Sequence, residues 1–190
     1  MKYYITLTIT LLIFCAVGSG VLAYVNSITA PVIKERKANE AIEARKSLIP
    51  GADFESHTAK ADSSFEYFIA YKQGTKDILG YTFTAVRKGY AAAVKTMVGL
   101  DKDMKIISIK VIEQNETPGL GTNATLPGFT DQFKGKGVDD LMVDKDGGVP
   151  GKCIKAMSGA TITTRAVAYS VRDQIAMLKT DLESAEGAAK

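Results

Sequence analysis

Hydrophobic and polar positions change period several times along the chain. From Tyr3 to Val25 the run YYITLTITLLIFCAVGSGVLAYV carries no charged residue. A helix rising ~1.5 Å per residue over that run is roughly 35 Å long, enough to cross a bilayer core. The pattern then becomes charged. TAPVIKERKANEAIEARKSLIPG reads as a helix with sparse apolar positions at Val32, Ile33, Ala38, Ile42 and Leu48. Pro31 suits its first turn and Pro50-Gly51 its stop. Such a segment is either a stalk packed in part on a domain or partner, or a solvated spacer. Residues 53–65 are polar and predict a loop.

Period-two alternation follows in FEYFIAYK (65–72), ILGYTFTAV (78–86), AAAVKTMVGLD (91–101) and MKIISIKVIEQ (104–114). Aromatic and β-branched residues alternate with polar ones, and QGTKD, RKG and DKD punctuate them. Links this short join antiparallel hairpins, because parallel crossovers need a dozen residues or more. The loop NETPGLGTNATLPG comes next, then a short helix near FTDQFKG, a strand near VDDLMV, the turn DKDGGVPGK and a final short strand at CIKAM. From about Thr161 to Glu183 the period returns to that of a helix, with Val167, Val171, Ile175, Leu178 and Leu182 on one face. The expected fold class is α+β: an N-terminal transmembrane helix, then an antiparallel sheet covered by helices. The expected boundaries are 1–27 for the anchor, 28–51 for the stalk and 52–190 for the domain.

Composition narrows the function classes. Twenty-four basic against 21 acidic residues leave a net charge of only +3, which argues against a nucleic-acid partner. His57 is the sole histidine, so neither a histidine metal site nor a histidine triad is expected. Cys15 and Cys153 are too few for a disulfide framework or a protein-ligated iron–sulfur cluster. Val21-Leu22-Ala23 offers a processing site, so the alternative to a retained anchor is a cleaved signal peptide; the retained anchor is the expectation. A lipoprotein site at Cys15 is disfavoured by Phe14 before it. Lys2 lies before the apolar run, and Lys34, Arg36, Lys37, Arg45 and Lys46 after it, a distribution that by itself places the C-terminal domain in the cytoplasm.

Two stretches carry candidate chemistry. GLGTNA, Gly119 to Ala124, matches a dinucleotide-binding pattern, but Pro127 falls where the phosphate-binding helix should continue and no βαβ unit follows. The overlapping ETPGLG has two open readings. It is an ordinary type II turn at Pro118-Gly119, or a backbone that approaches a ligand closely with Glu116 and Thr117 beside it. Lys134 and Lys136 read as a surface pair rather than phosphate ligands, and Cys153 as a small apolar residue. SGATIT is the stronger signal. Gly159 permits a sharp turn, Ala160 leaves room for a ligand, and Ser158 and Thr161 are placed to cap the last helix. The N-terminus of that helix favours an anion such as phosphate, and Thr163 in its first turn could carry a phosphoester. Capping alone accounts for one or two hydroxyls, not for Ser158, Thr161, Thr163 and Thr164 together.

SGATIT resembles the S/T-G-A-T-x-T/S flavinylation motif of FMN-binding domains in bacterial respiratory complexes, and ETPGLG resembles their second signature. The order of elements is similar along essentially the whole chain. The resemblance is to the G subunit of Rnf complexes and, next, to the C subunit of Na⁺-translocating NADH:quinone reductases. It implies FMN bound covalently through its phosphate to Thr163, by an exported flavin transferase that consumes FAD. It also implies that Thr161 helps hold the phosphate, that Ser158, Gly159 and Ala160 shape the turn, and that Glu116, Thr117, Gly119 and Leu120 line the isoalloxazine. No metal ligand and no separate catalytic residue are expected. The implied role is a redox subunit of an ion-translocating complex that passes electrons between ferredoxin and NAD while moving Na⁺ or H⁺. Its partners would be the other membrane and peripheral subunits, with no nucleic acid. The implied location is the cytoplasmic membrane, single-pass, with the FMN domain on the extracytoplasmic side, opposite to the charge distribution. The other readings are a stand-alone extracytoplasmic FMN-binding reductase module, the equivalent subunit of a Na⁺-translocating NADH:quinone reductase, and an anchored assembly factor whose hydroxyls are only caps. Relatives often carry an acid three residues before the motif's serine, where this chain has Lys155. Thr164 leaves a second hydroxyl beside Thr163.

Overall fold

The computed structural model describes residues 1–59 and 65–187, with side chains through residue 184. The chain divides into two units, Met1–Ile42 and Glu43–Lys190. Helix α1, Lys2–Leu48, is uninterrupted through Pro31, so the anchor and stalk helices expected separately are one helix. It includes an apolar stretch long enough to cross a membrane, none of it buried within the chain. The hydroxyls of Thr6, Thr8, Thr10 and Thr29 each donate to the carbonyl four residues earlier, and Ser27 to Tyr24. These polar groups are therefore satisfied inside the helix, as a hydrocarbon surrounding demands.

In the second unit five strands form an antiparallel meander in the order β1-β2-β3-β4-β5. They are β1 Ala52–Thr58, β2 Glu66–Lys72, β3 Ile78–Lys88, β4 Ala93–Asp101 and β5 Ile106–Glu113. The last four lie within a few residues of the alternating runs. Strand β1 corrects the loop expected at 53–65; residues 60–64 of that loop lie outside the described residues. Its sequence, ADFESHT, is polar because it is an edge strand with only Ala52 buried, and it pairs in register with β2 from Ala52↔Lys72 to Thr58↔Glu66.

Each face of the sheet is covered. Tyr67, Ile69, Tyr81, Phe83, Val98 and Leu100 pack with Val167, Val171, Ile175 and Leu178 of α3, Thr161–Gly187, in one core. The expected helix face is thus the buried one, with Leu182 packed at its margin. Burying four aliphatic side chains at roughly 1.5–3 kcal/mol each makes α3 a main support of the sheet. The other face meets the end of α1. Ala44, Leu48 and Ile49 are buried, Leu48 lies against Gly99, and the Arg45 guanidinium stacks 3.4 Å from the centre of the Phe68 ring.

Between β5 and α3 the chain is largely irregular. Helix α2, Pro127–Thr130, runs into a 3₁₀ turn at Asp131–Phe133, close to the short helix expected there. The strand expected near 138–143 is instead a 3₁₀ turn, Val138–Asp140, and CIKAM adds only a single parallel bridge, Val143↔Ile154. Leu141, Val143 and Ile154 are fully buried as core plugs. Their apolar spacing mimics a strand, but Asp140 and Leu141 donate to Gly137 and Val138, which curls the backbone away from a ladder.

Candidate functional site

The start of α3 is fixed by a turn and a hydroxyl. The Ala160 N–H donates to the Met157 carbonyl, with Gly159 at φ 72, a conformation that suits glycine. Thr164 Oγ1 donates to the Ala160 carbonyl and accepts from the Met157 N–H, at 3.0 and 3.1 Å. Thr164 therefore ties the Met157–Ala160 turn to the first turn of the helix. Among the described residues the hydroxyls of Ser158 and Thr161 take no hydrogen bond, which corrects their expected capping role. The amides of Thr161, Ile162 and Thr163 likewise meet no acceptor in the described chain. A helix start with unclaimed N–H donors is suited to an anion.

The ETPGLG loop comes to the same place. The Leu120 N–H donates to the Thr117 carbonyl at 3.1 Å and Gly119 has φ 76, as a type II turn requires. The type II turn is thus present, and Glu116, Thr117, Leu120 and Gly121 of the same loop line a cavity. Glu116 is 5% exposed and Thr163 is 1% exposed. Thr163 Oγ1 donates to Glu116 Oε2 at 2.6 Å. The same carboxylate accepts the N–H groups of Tyr90, Ala91 and Ala92 at 3.2, 3.0 and 3.3 Å. Those amides belong to the tip of the β3–β4 hairpin. Burial works against the charge on Glu116, but the Thr163 hydroxyl and the three amides outweigh it and hold the carboxyl below its usual range.

Two glycines make this packing possible. A Cβ at Gly121 would fall 2.5 Å from Glu116 Cβ and 2.9 Å from Thr163 Oγ1, and one at Gly89 would fall 2.6 Å from Glu116 Oε1. Sequence reasoning missed Gly89, Gly121 and the amides of residues 90–92. The turn signal RKG was legible, but nothing in the sequence says which carboxylate a hairpin tip will meet.

Above this buried cluster lies an open cleft of about 550 Å³. It is lined by Glu116, Thr117, Leu120, Gly121, Gly159, Ala160, Thr161, Ile162 and Thr163 from the two motifs, with Tyr90 added from the β3–β4 tip. Ser158 and Gly119 shape the turns but do not line it. Tyr90, Leu120 and Ile162 are exposed apolar side chains around it. The cleft thus pairs apolar walls with unclaimed amides and a hydroxyl, a combination that fits a planar aromatic ligand bearing a phosphate. Lys134 pairs with Asp131 at 3.6 Å and Lys136 donates to the Lys152 carbonyl, so neither serves the cleft. Lys155 is exposed and lines a separate groove with Asn123, Leu126, Phe129 and Gln132.

These features define an FMN-binding domain, and the family of that description matches residues 89–176. The G subunit of the proton-translocating ferredoxin:NAD(+) oxidoreductase complex of Clostridium ljungdahlii is 35% identical over 175 residues, covering 92% of this chain and 91% of its own. The G subunit of the Na(+)-translocating ferredoxin:NAD(+) oxidoreductase complex of Acetobacterium woodii is 34% identical, with 92% and 91% covered. The G subunit of the ion-translocating oxidoreductase complex of Methanosarcina acetivorans is 30% identical, with 88% and 90% covered. The chain belongs to the family of G subunits of ion-translocating oxidoreductase complexes.

Proposed function

We propose that this chain carries FMN as a phosphoester on Thr163 and relays electrons within an Rnf-type ferredoxin:NAD⁺ oxidoreductase that moves Na⁺ or H⁺. The observation that carries the site assignment is the division of labour between two adjacent hydroxyls. Thr164 is committed to the Met157–Ala160 turn, whereas Thr163 borders the cleft beside the unclaimed amides of residues 161–163. Those amides would hold the phosphate, with Thr161 and the Ser158–Ala160 turn around it. Thr117 and Leu120, with Tyr90 and Ile162, would flank the isoalloxazine and exclude water from its faces. FMN supplies the redox chemistry when bound, and the protein sets its position and surroundings. No substrate of its own is needed.

A covalent tether suits a domain on the extracytoplasmic side of the cytoplasmic membrane, where a released cofactor is lost, and an exported flavin transferase would attach it there from FAD. The apolar stretch of α1 would confine the domain near its membrane partners and raise their effective concentration. The similarity to ferredoxin:NAD⁺ oxidoreductase subunits favours this assembly over a Na⁺-translocating NADH:quinone reductase or a stand-alone reductase module; co-purification with the other subunits checks it. The site assignment is tested by intact mass. The native chain matured with the transferase should gain one FMN, mapped to the peptide containing Thr163, and Thr163→Ala should gain none. An unmodified native chain, or flavin retained covalently in Thr163→Ala, would overturn the assignment.

A further inference from the structure

The cleft explains where a flavin would lie, but not how Thr163 is reached. We infer that the Glu116–Thr163 hydrogen bond is a latch, closed in the unmodified chain, that must open before the hydroxyl can be flavinylated. This rests on Thr163 as the modified residue. Thr163 is 1% exposed, so a water molecule scarcely touches it. A tetrahedral phosphorus is larger and must come within bonding distance of Oγ1. The side of Oγ1 towards the loop is already filled, since even a methyl group at Gly121 would lie 2.9 Å away.

The bond is also incompatible with the product. In flavinylation the flavin-bearing phosphorus of FAD bonds to Oγ1, the pyrophosphate bond to the leaving group breaks, AMP departs and the hydroxyl proton goes to water. The resulting ester oxygen has no proton to donate. Held 2.6 Å from Glu116 Oε2, it would set two acceptors, and a phosphodiester anion, against a carboxylate. One partner has to move. Glu116 keeps three backbone donors at Tyr90, Ala91 and Ala92, and its own N–H is tied to Gln114. Among the described residues the Thr163 hydroxyl has only the one bond. The threonine therefore turns into the cleft, where the amides of residues 161–163 meet the new phosphate, and Glu116 stays on the hairpin tip.

The competing reading makes Glu116 the acceptor of the Thr163 proton during transfer. It requires phosphorus to reach Oγ1 with the bond intact, which the burial disfavours. The two readings predict opposite signs. The full-length chain in detergent is incubated with FAD and an FAD-dependent flavin transferase, and FMN incorporation is followed by intact mass with a peptide map. Glu116→Gln weakens the latch by removing the charge, and Gly121→Ala wedges it apart while keeping the carboxylate. Each should raise the initial rate roughly tenfold, the population shift expected when one charge-assisted hydrogen bond is lost from the closed state. Equal or slower incorporation in both variants would overturn the latch, and slowing in Glu116→Gln would assign Glu116 as the proton acceptor instead.

Amide exchange on the native chain gives a readout free of substitution, whatever the folding of the variants. Protection at Thr161–Thr163 should rise on flavinylation, and unchanged exchange there would sink the proposed movement. Failure of the site reading is distinct, because the native chain would then gain no FMN on Thr163 at all.

Discussion

At Glu116 one carboxylate joins a loop, a hairpin tip and a helix, so its charge state bears on the stability of the site. Its proton affinity is lowered in the folded chain by the Thr163 hydroxyl and the amides of residues 90–92 acting against burial. A carboxyl so depressed contributes stability above its unfolded pKa, near 4.5, and loses that contribution as pH falls through the lower folded value. Thermal denaturation of the unmodified chain should therefore show a melting temperature that declines below about pH 4.5. Glu116→Gln should melt lower at neutral pH and show a flatter acid limb; parallel acid limbs would remove Glu116 from the account. The residue scale is also where the sequence was most and least informative. Gly119 and Gly159 are legible because the left-handed backbone of each local turn demands glycine. The partnership of Glu116 with residues 90–92 is not, because it is a contact between segments distant in the chain and made through backbone N–H groups common to all residue types.

Elements follow the same division. Strands β2 to β5 and the buried face of α3 are legible because each is amphipathic with its own period. Ile175 is fully buried and Lys179 is exposed on the same helix. Ile175→Ala should cost about 2–5 kcal/mol of unfolding free energy in denaturant titration, and Lys179→Ala within about 0.5 kcal/mol of nothing. Strand β1 was illegible because an edge strand can be polar on both faces and is defined by its partner. The segment from residue 138 to 157 misled for the opposite reason, because its buried aliphatics plug the core without a ladder. What holds it is a clamp. Asp146 accepts from Arg165 Nε at 2.9 Å and from the Tyr169 hydroxyl, both on α3. Those two partners hold the Asp146 carboxyl below its usual range. Asp146→Ala should free the 144–157 loop just ahead of SGATIT, seen as faster proteolysis there with the strands still protected from exchange.

Over the whole molecule, an apolar helix and a flavin-type cleft belong to separate structural units, and the side of the membrane decides which partners the cleft can meet. The flanking charges and the exported transferase that the proposed function calls for point in opposite directions. A rule based on flanking charge describes an isolated helix during insertion, whereas a component of a complex inserts beside other helices whose packing can fix its orientation. Under the proposed function the chemistry of the site would be the firmer guide, because a phosphoester that held FMN against loss would have its value where diffusion is open, and Thr163 would be modified only where the transferase is present. Val149 lies in the domain, is 63% exposed and does not line the cleft, so Val149→Cys supplies a reporter outside the candidate site. In intact cells a membrane-impermeant maleimide should label Val149→Cys above the background of the unsubstituted chain, without permeabilisation. Labelling that appears only after permeabilisation would place the domain in the cytoplasm. The charge distribution would then be the correct guide, and Thr163 would need a cytoplasmic route to its flavin.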